Sequence, residues 1–154
     1  MKLSIGSDHG GFELKEELKR RLLSEGLEVL DRGCHSSDPV DYPDIALIVS
    51  NDVASGATHL GILVCGTGIG MSNAASRIEG IVAALCSDCY SARMAREHNA
   101  ANVLCLGGRV IGPELAWSIA RTFISTAPLT DAKYVRRRAK VASIGGGQKE
   151  KGGR

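Results

Sequence analysis

Residues 65–70 read Cys-Gly-Thr-Gly-Ile-Gly, and they offer a thiol, a hydroxyl and three alternating glycines within six positions. Alternating Gly lets backbone N–H groups converge on one point, and a helix starting just beyond adds about half a positive charge there. Such a field favours the thiolate form of a cysteine, and a threonine two residues on can donate to a developing oxyanion. The plainer alternative is a tight strand-to-helix turn that buries a cysteine. The run is not a Walker loop, because no Gly-Lys-Ser/Thr follows. A dinucleotide fingerprint needs Gly at 71, where this chain has Met71, although Asp88 stands about 20 residues downstream, where a ribose-binding acid belongs.

A second group is Ser7-Asp8-His9-Gly10-Gly11, in which a carboxylate and an imidazole precede two Gly at a helix start. It can bind hydroxyls together with an anion, or it can be an Asp cap beside an exposed His. Gly107-Gly108-Arg109 brings a guanidinium to an anion in the same manner. Residues 133–140 carry five cations in eight positions, which makes either a solvated helix face or a phosphate clamp. The run is too short and too poor in aromatics for nucleic acid. Cys86-x-x-Cys89 lacks a second pair at zinc spacing, so neither a metal nor a redox role follows from it.

The elements that must position these groups follow from periodicity. Residues 2–7, 27–31, 60–64, 81–86 and 103–106 read as strands. Helices are expected over 11–25 (Leu14, Leu18 and Leu22 at i, i+4, i+8), from Pro43 to Gly56, over 71–78 and 88–97, from Pro113 with an apolar face of Leu115, Ile119, Ala120 and Phe123, and over 131–144. Strands alternating with helices imply a parallel sheet covered on both faces. The nearly continuous apolar run at 81–85 reads as a strand buried on both sides. In such sheets the ligand crevice lies beyond the carboxyl ends of the strands, which is where Asp8, Cys65 and Arg109 fall. His98-Asn99 closes a returning helix and therefore lies at the opposite, amino edge. A catalytic His98 would thus serve the crevice of a neighbouring subunit; otherwise it is a His favoured by a helix C-terminus.

Composition agrees with one small enzyme-sized domain. The 154 residues are 44% hydrophobic and 23% charged, which excludes disorder over most of the length. Six aromatics and 19 Gly imply an aliphatic, small-residue core with tight turns. The net charge of +2 is too weak to argue for nucleic acid or membrane, and no apolar run reaches the roughly 18 residues of a span. The N-terminus reaches Asp8 too early for a secretory segment, and five Cys without scaffold spacing suggest free thiols, hence a cytoplasmic protein. Residues 1–144 are expected to form the domain. Residues 145–154, with five Gly and no apolar side chain, read as a disordered Gly/Lys-rich tail.

Taken together, Ser7-Asp8-His9-Gly10-Gly11, Asp41-Tyr42-Pro43, residues 65–72, His98-Asn99-x-x-Asn102-Val103-Leu104 and Gly108-Arg109-Val110-Ile111-Gly112 resemble the ribose-5-phosphate isomerase B family, which includes allose- and galactose-phosphate isomerases. The match runs in order from about residue 3 to 141. The resemblance implies an α/β fold, a single-domain three-layer αβα sandwich around a five-stranded parallel Rossmann-like sheet. It further implies a homodimer or homotetramer with shared active sites, a small sugar-phosphate substrate, no metal or organic cofactor, and interconversion of ribose and ribulose 5-phosphates in the pentose phosphate pathway. By position, Cys65 matches the family's catalytic base and Thr67 its partner at the enediolate. Gly66, Gly68, Ile69 and Gly70 match the loop that binds sugar oxygens. Asp8, His9 and Tyr42 match pocket positions, His98 the acid that opens the furanose, Asn99 and Arg109 substrate contacts, and Arg137 a phosphate ligand. Where one branch of the family has a Glu and lacks the Cys, this chain has Met71 and Cys65, as the Cys-type branch does. The family's Arg-His-x-x-Arg phosphate motif is replaced by Lys133-Tyr134-Val135-Arg136-Arg137, so Lys133 or Arg136 supplies the first cation. A six-carbon sugar phosphate, or a non-catalytic sugar-phosphate or nucleotide-binding module, are the alternative readings.

Overall fold

The computed structural model describes residues 1–144; the expected tail at 145–154 lies outside the described residues. The strands are β1 (Lys2–Ser7), β2 (Glu28–Asp31), β3 (Leu60–Cys65), β4 (Ala83–Leu85) and β5 (Val103–Gly107). All neighbours pair in parallel, in the order β2-β1-β3-β5-β4. The helices are α1 (Phe12–Ser24), α2 (Tyr42–Ala54), α3 (Ile69–Ala75), α4 (Cys89–Asn99), α5 (Pro113–Ser125) and α6 (Ala132–Ala142), with a 3-10 turn at His9–Gly11 ahead of α1.

Period-two alternation divides the strands between two cores. Leu3, Ile5, Ile62, Val64, Leu104 and Leu106 face α1, α4 and α5, meeting Leu18, Leu22, Ala92, Ile119 and Phe123. Leu63, Cys65, Val103 and Cys105 face α2 and α3, meeting Val49, Val53, Met71 and Ala75. Each fully buried Leu or Phe contributes about 1.5–3 kcal/mol, so the two cores suffice to hold a three-layer αβα sandwich. α6 stands apart, since none of its residues is buried, and it leans on the end of α4.

Three expectations need correction. The 81–86 run yields only Ala83–Leu85 as strand, and β4 is an edge strand whose Leu85 and neighbouring Val82 are exposed. Continuous apolarity here belongs to an edge strand and not to a strand buried on both faces. Leu115 is exposed, and Ala116 takes its place on the buried face of α5 beside Ile119, Ala120 and Phe123. The helix placed at 71–78 starts at Ile69, directly after the glycine loop, and ends at Ala75.

Candidate active site

The carboxyl ends of β1, β3 and β5 bring three loops together. Asp8 N–H donates to the Val64 carbonyl, Gly108 N–H to that of Cys65, and Arg109 N–H to that of Gly66. Backbone bonds thus lock the Asp8–His9, Cys65–Gly70 and Gly108–Arg109 segments against one another. The Arg109 side chain reaches over the glycine loop, with Nη1 3.5 Å from where a Cβ on Gly66 would lie.

Cys65 ends β3, and its Sγ accepts the Gly68 N–H at 3.1 Å. Gly68 has φ +80° and caps α3, a left-handed conformation that turns its amide back onto the sulfur. That amide belongs to the loop leading into the helix, so a negative sulfur would meet a donor and the positive end of the local peptide dipoles. Thr67 Oγ1 accepts the Ile69 N–H at 3.2 Å, which leaves its own proton to donate outward. Ile69 begins α3 and is exposed, and Gly70 follows beneath the Tyr42 ring. Tyr42 begins α2 after Asp41, with Pro43 in the first turn.

Asp8 does what an Asp cap does: Oδ1 accepts the Gly11 N–H at 3.1 Å, and the carboxylate is almost wholly buried. His9 is exposed, with Nδ1 accepting the Val40 N–H at 3.4 Å. The dinucleotide alternative weakens further. Asp88 caps α4 with both oxygens on Ser91, and Met71, where that fingerprint needs Gly, is fully buried in the core.

The remaining predicted residues form a separate group. His98 and Asn99 close α4, which leaves the carboxyl end of β4 and returns to the amino end of β5, so they lie at the sheet edge opposite Cys65. His98 stacks on Tyr134 of α6, with ring centroids 4.5 Å apart and planes 12° from parallel. Lys133 Nζ lies 4.8 Å and Arg137 Cζ 6.0 Å from the centre of the same ring. Within one chain the candidate residues therefore fall into two separate groups, one around Cys65 with Asp8, His9, Tyr42, Thr67 and Arg109, the other around His98 with Asn99, Lys133 and Arg137.

Two further thiols, Cys86 and Cys105, lie in the core. Burial pushes Cys86 up to about 11, and burial, with the nearby Cys65 and Cys86, drives Cys105 up still further. Both are core thiols held in the neutral form.

Sequence reasoning missed Lys15. It is fully buried, and its Nζ donates to both oxygens of Asp31 at 2.9 and 3.0 Å and to the Cys34 carbonyl at 2.7 Å. Ser7 N–H in turn donates to the Gly33 carbonyl, and Cys34 N–H to that of Ser7. The buried ammonium thereby fixes the segment packed against β1 immediately before Asp8. In the sequence its one trace is that position 15 lies on the same helical face as Leu18 and Leu22, while its partners Asp31 and the Cys34 carbonyl do not show there.

Comparison with known proteins identifies the family. Residues 3–144 match the family described as Ribose/Galactose Isomerase. The chain is 47% identical over 123 residues to ribose-5-phosphate isomerase B of Escherichia coli (strain K12), covering 80% of this chain and 83% of the relative. Among solved structures, the ribose 5-phosphate isomerase of Thermotoga maritima superposes with a TM-score of 0.90 at 50% identity, covering 93% of this chain and 98% of that one. Ribose-5-phosphate isomerase B of Clostridium thermocellum gives 0.91 at 47% identity, covering 94% and 97%. With residues 3–144 matched by the family model and the fold superposing on a solved relative at a TM-score of 0.91, the chain belongs to the ribose/galactose isomerase family.

Proposed function

We propose that this protein interconverts ribose 5-phosphate and ribulose 5-phosphate through an enediolate, with Cys65 as the base. The observation that carries this reading is the Cys65 Sγ held by the Gly68 amide at 3.1 Å at the carboxyl end of the central strand. The thiolate removes the C2 proton of the open aldose and returns a proton to C1. Thr67 and the amides of Gly66 and Gly70 donate to the enediolate oxygens, each well-placed donor contributing about 3 kcal/mol, while the Gly68 amide holds the sulfur and the Ile69 amide holds Thr67 Oγ1. Asp8, His9 and Tyr42 bind sugar hydroxyls, and Arg109 balances charge over the loop.

Lys133 and Arg137 bind the phosphate, and His98 protonates the ring oxygen to open the furanose, with Asn99 beside it contacting the sugar. Because this second group lies at the opposite sheet edge from Cys65, it acts on the crevice of another copy. The working unit is a homodimer, or a tetramer of such dimers, with sites completed across the interface. The reading invokes no metal and no organic cofactor.

Incubation with ribose 5-phosphate tests it, with ketose formation as the readout. Ketose appearing with the native chain and lost in Cys65→Ala supports the assignment. A native chain that forms no ketose above the buffer blank overturns it.

A further inference from the structure

We propose that Tyr134 is a positioning residue for His98, fixing the imidazole in the orientation from which it opens the substrate's furanose ring. The proposal rests on the ring-opening role of His98 given above.

The two rings are stacked at 4.5 Å and 12°. Nothing in the core calls for an aromatic there, because α6 buries no residue. The surface that carries Tyr134 is nevertheless tied down. Arg138 Nη1 donates to the carbonyls of Leu129 and His98 at 3.0 and 3.5 Å, Leu129 N–H donates to the Glu97 carbonyl, and Arg96 Nε donates to that of Thr126. Main-chain anchors thus set the end of α4 and the start of α6 relative to each other, and the stacked pair sits between them.

An imidazole on the last turn of a helix otherwise rotates about two side-chain bonds. Ring opening demands one orientation: the imidazolium N–H must meet the ring oxygen as the C1–O4 bond breaks. The electron pair and the proton go to O4, the C1 hydroxyl releases its proton to solvent as the aldehyde forms, and solvent reprotonates the imidazole. Loss of alignment by about 1 Å in such a step lowers the rate by about 10²-fold.

The test separates ring opening from enediolate chemistry. Ribulose 5-phosphate carries its phosphate on O5 and cannot close a five-membered ring, so exchange of its C1 hydrogen for deuterium in D2O needs Cys65 but no ring opening. In the full-length chain, Tyr134→Ala is expected to lower kcat on ribose 5-phosphate by about tenfold or more while C1 exchange stays within about twofold of native. The retained exchange also shows that the variant has folded. Tyr134→Phe, which keeps the ring, should rescue kcat, and His98→Asn should reproduce the split. If Tyr134→Ala keeps full kcat while His98→Asn loses it, or if kcat and exchange fall together, the positioning role is overturned. Full kcat in His98→Asn removes the ring opener and the inference with it, leaving the isomerase reading intact; absence of ketose from the native chain overturns both.

Discussion

The Tyr42 ring rests directly on Gly70: a Cβ added at Gly70 would lie 2.8 Å from Cε2 and Cζ of that ring. The first residue of α2 is thereby pressed onto the first turn of α3, and the ring forms a wall beside the glycine loop. Gly70→Ala must push the ring outward, which it can do because Tyr42 is partly exposed. Its expected effect is a KM for ribose 5-phosphate raised about fivefold to tenfold, with kcat changed much less, since lost contacts to the bound sugar are felt before the chemistry. Steady-state kinetics on Gly70→Ala and Tyr42→Ala check this; an unchanged KM in both places the sugar elsewhere.

The sulfur of Cys65 and the amide of Gly68 make a second sharp case. Cys65→Ala should reduce kcat by about 10²–10⁴-fold, the usual contribution of a positioned base, while the fold is retained. Gly68→Ala acts on the same contact from the other side. Its φ of +80° disfavours a side chain, and the added Cβ would lie 2.5 Å from Leu85 Cδ1 and 2.9 Å from the Leu106 carbonyl carbon. Relief of that clash swings the amide off the sulfur. Gly68→Ala is therefore expected to lose both kcat and thermal stability, whereas Cys65→Ala loses kcat alone. Paired kinetics and thermal melts distinguish the two; a fully active Cys65→Ala removes the sulfur from the mechanism.

Acid stability should depend on the Lys15–Asp31 pair. Burial works against ionising Asp31, but hydrogen bonds from Lys19 and Lys15 and from the Gly33 amide outweigh it and hold the carboxyl at about 2. The folded value lies below the ordinary 3.8, so between the two the unfolded chain binds more protons and stability rises with pH. The contribution is complete above the ordinary value and disappears as pH falls through about 2. Urea unfolding of Asp31→Asn should give a lower stability than native at pH 6 and a smaller loss between pH 4 and pH 2; because Lys15 keeps Glu16 and the Cys34 carbonyl as partners, the loss at pH 6 is about 1–3 kcal/mol. Equal slopes in the two proteins would show that Asp31 titrates no differently in the folded state.

Much of this was legible in the sequence because local rules and global fold agree. The Leu14-Leu18-Leu22 spacing, Pro113 at a helix start and the Cys65–Gly70 run each point to the element that forms. Connectivity alone also separates His98 from Cys65, since a helix between parallel strands must return to the amino edge. What failed was tied to position in the sheet. An apolar run such as 81–86 looks the same at an edge as in the centre, and strand order is a property of pairing between distant segments. Lys15 was missed because a charged residue on an apolar helix face has meaning only once Asp31 and the Cys34 carbonyl are seen around it. The stack of His98 on Tyr134 joins residues 36 positions apart across a helix–helix contact, and neither ring betrays the other in one dimension.

The separation of the Cys65 and His98 groups yields a test of the assembled site that single-variant kinetics cannot supply. In the proposed homodimer, Cys65→Ala removes the proposed base from both sites, and His98→Asn removes the proposed ring-opening acid from both. If each site takes Cys65 from one copy and His98 from the other, a mixed dimer has one site with both residues intact and one with neither. Unfolding and refolding an equal mixture gives about half mixed dimers, so about a quarter of native activity on ribose 5-phosphate should return. If instead each chain completed its own site, every site in every mixture would carry one defect and nothing would return. Activity measured before and after subunit exchange decides between the two, with refolded native protein setting the recoverable maximum.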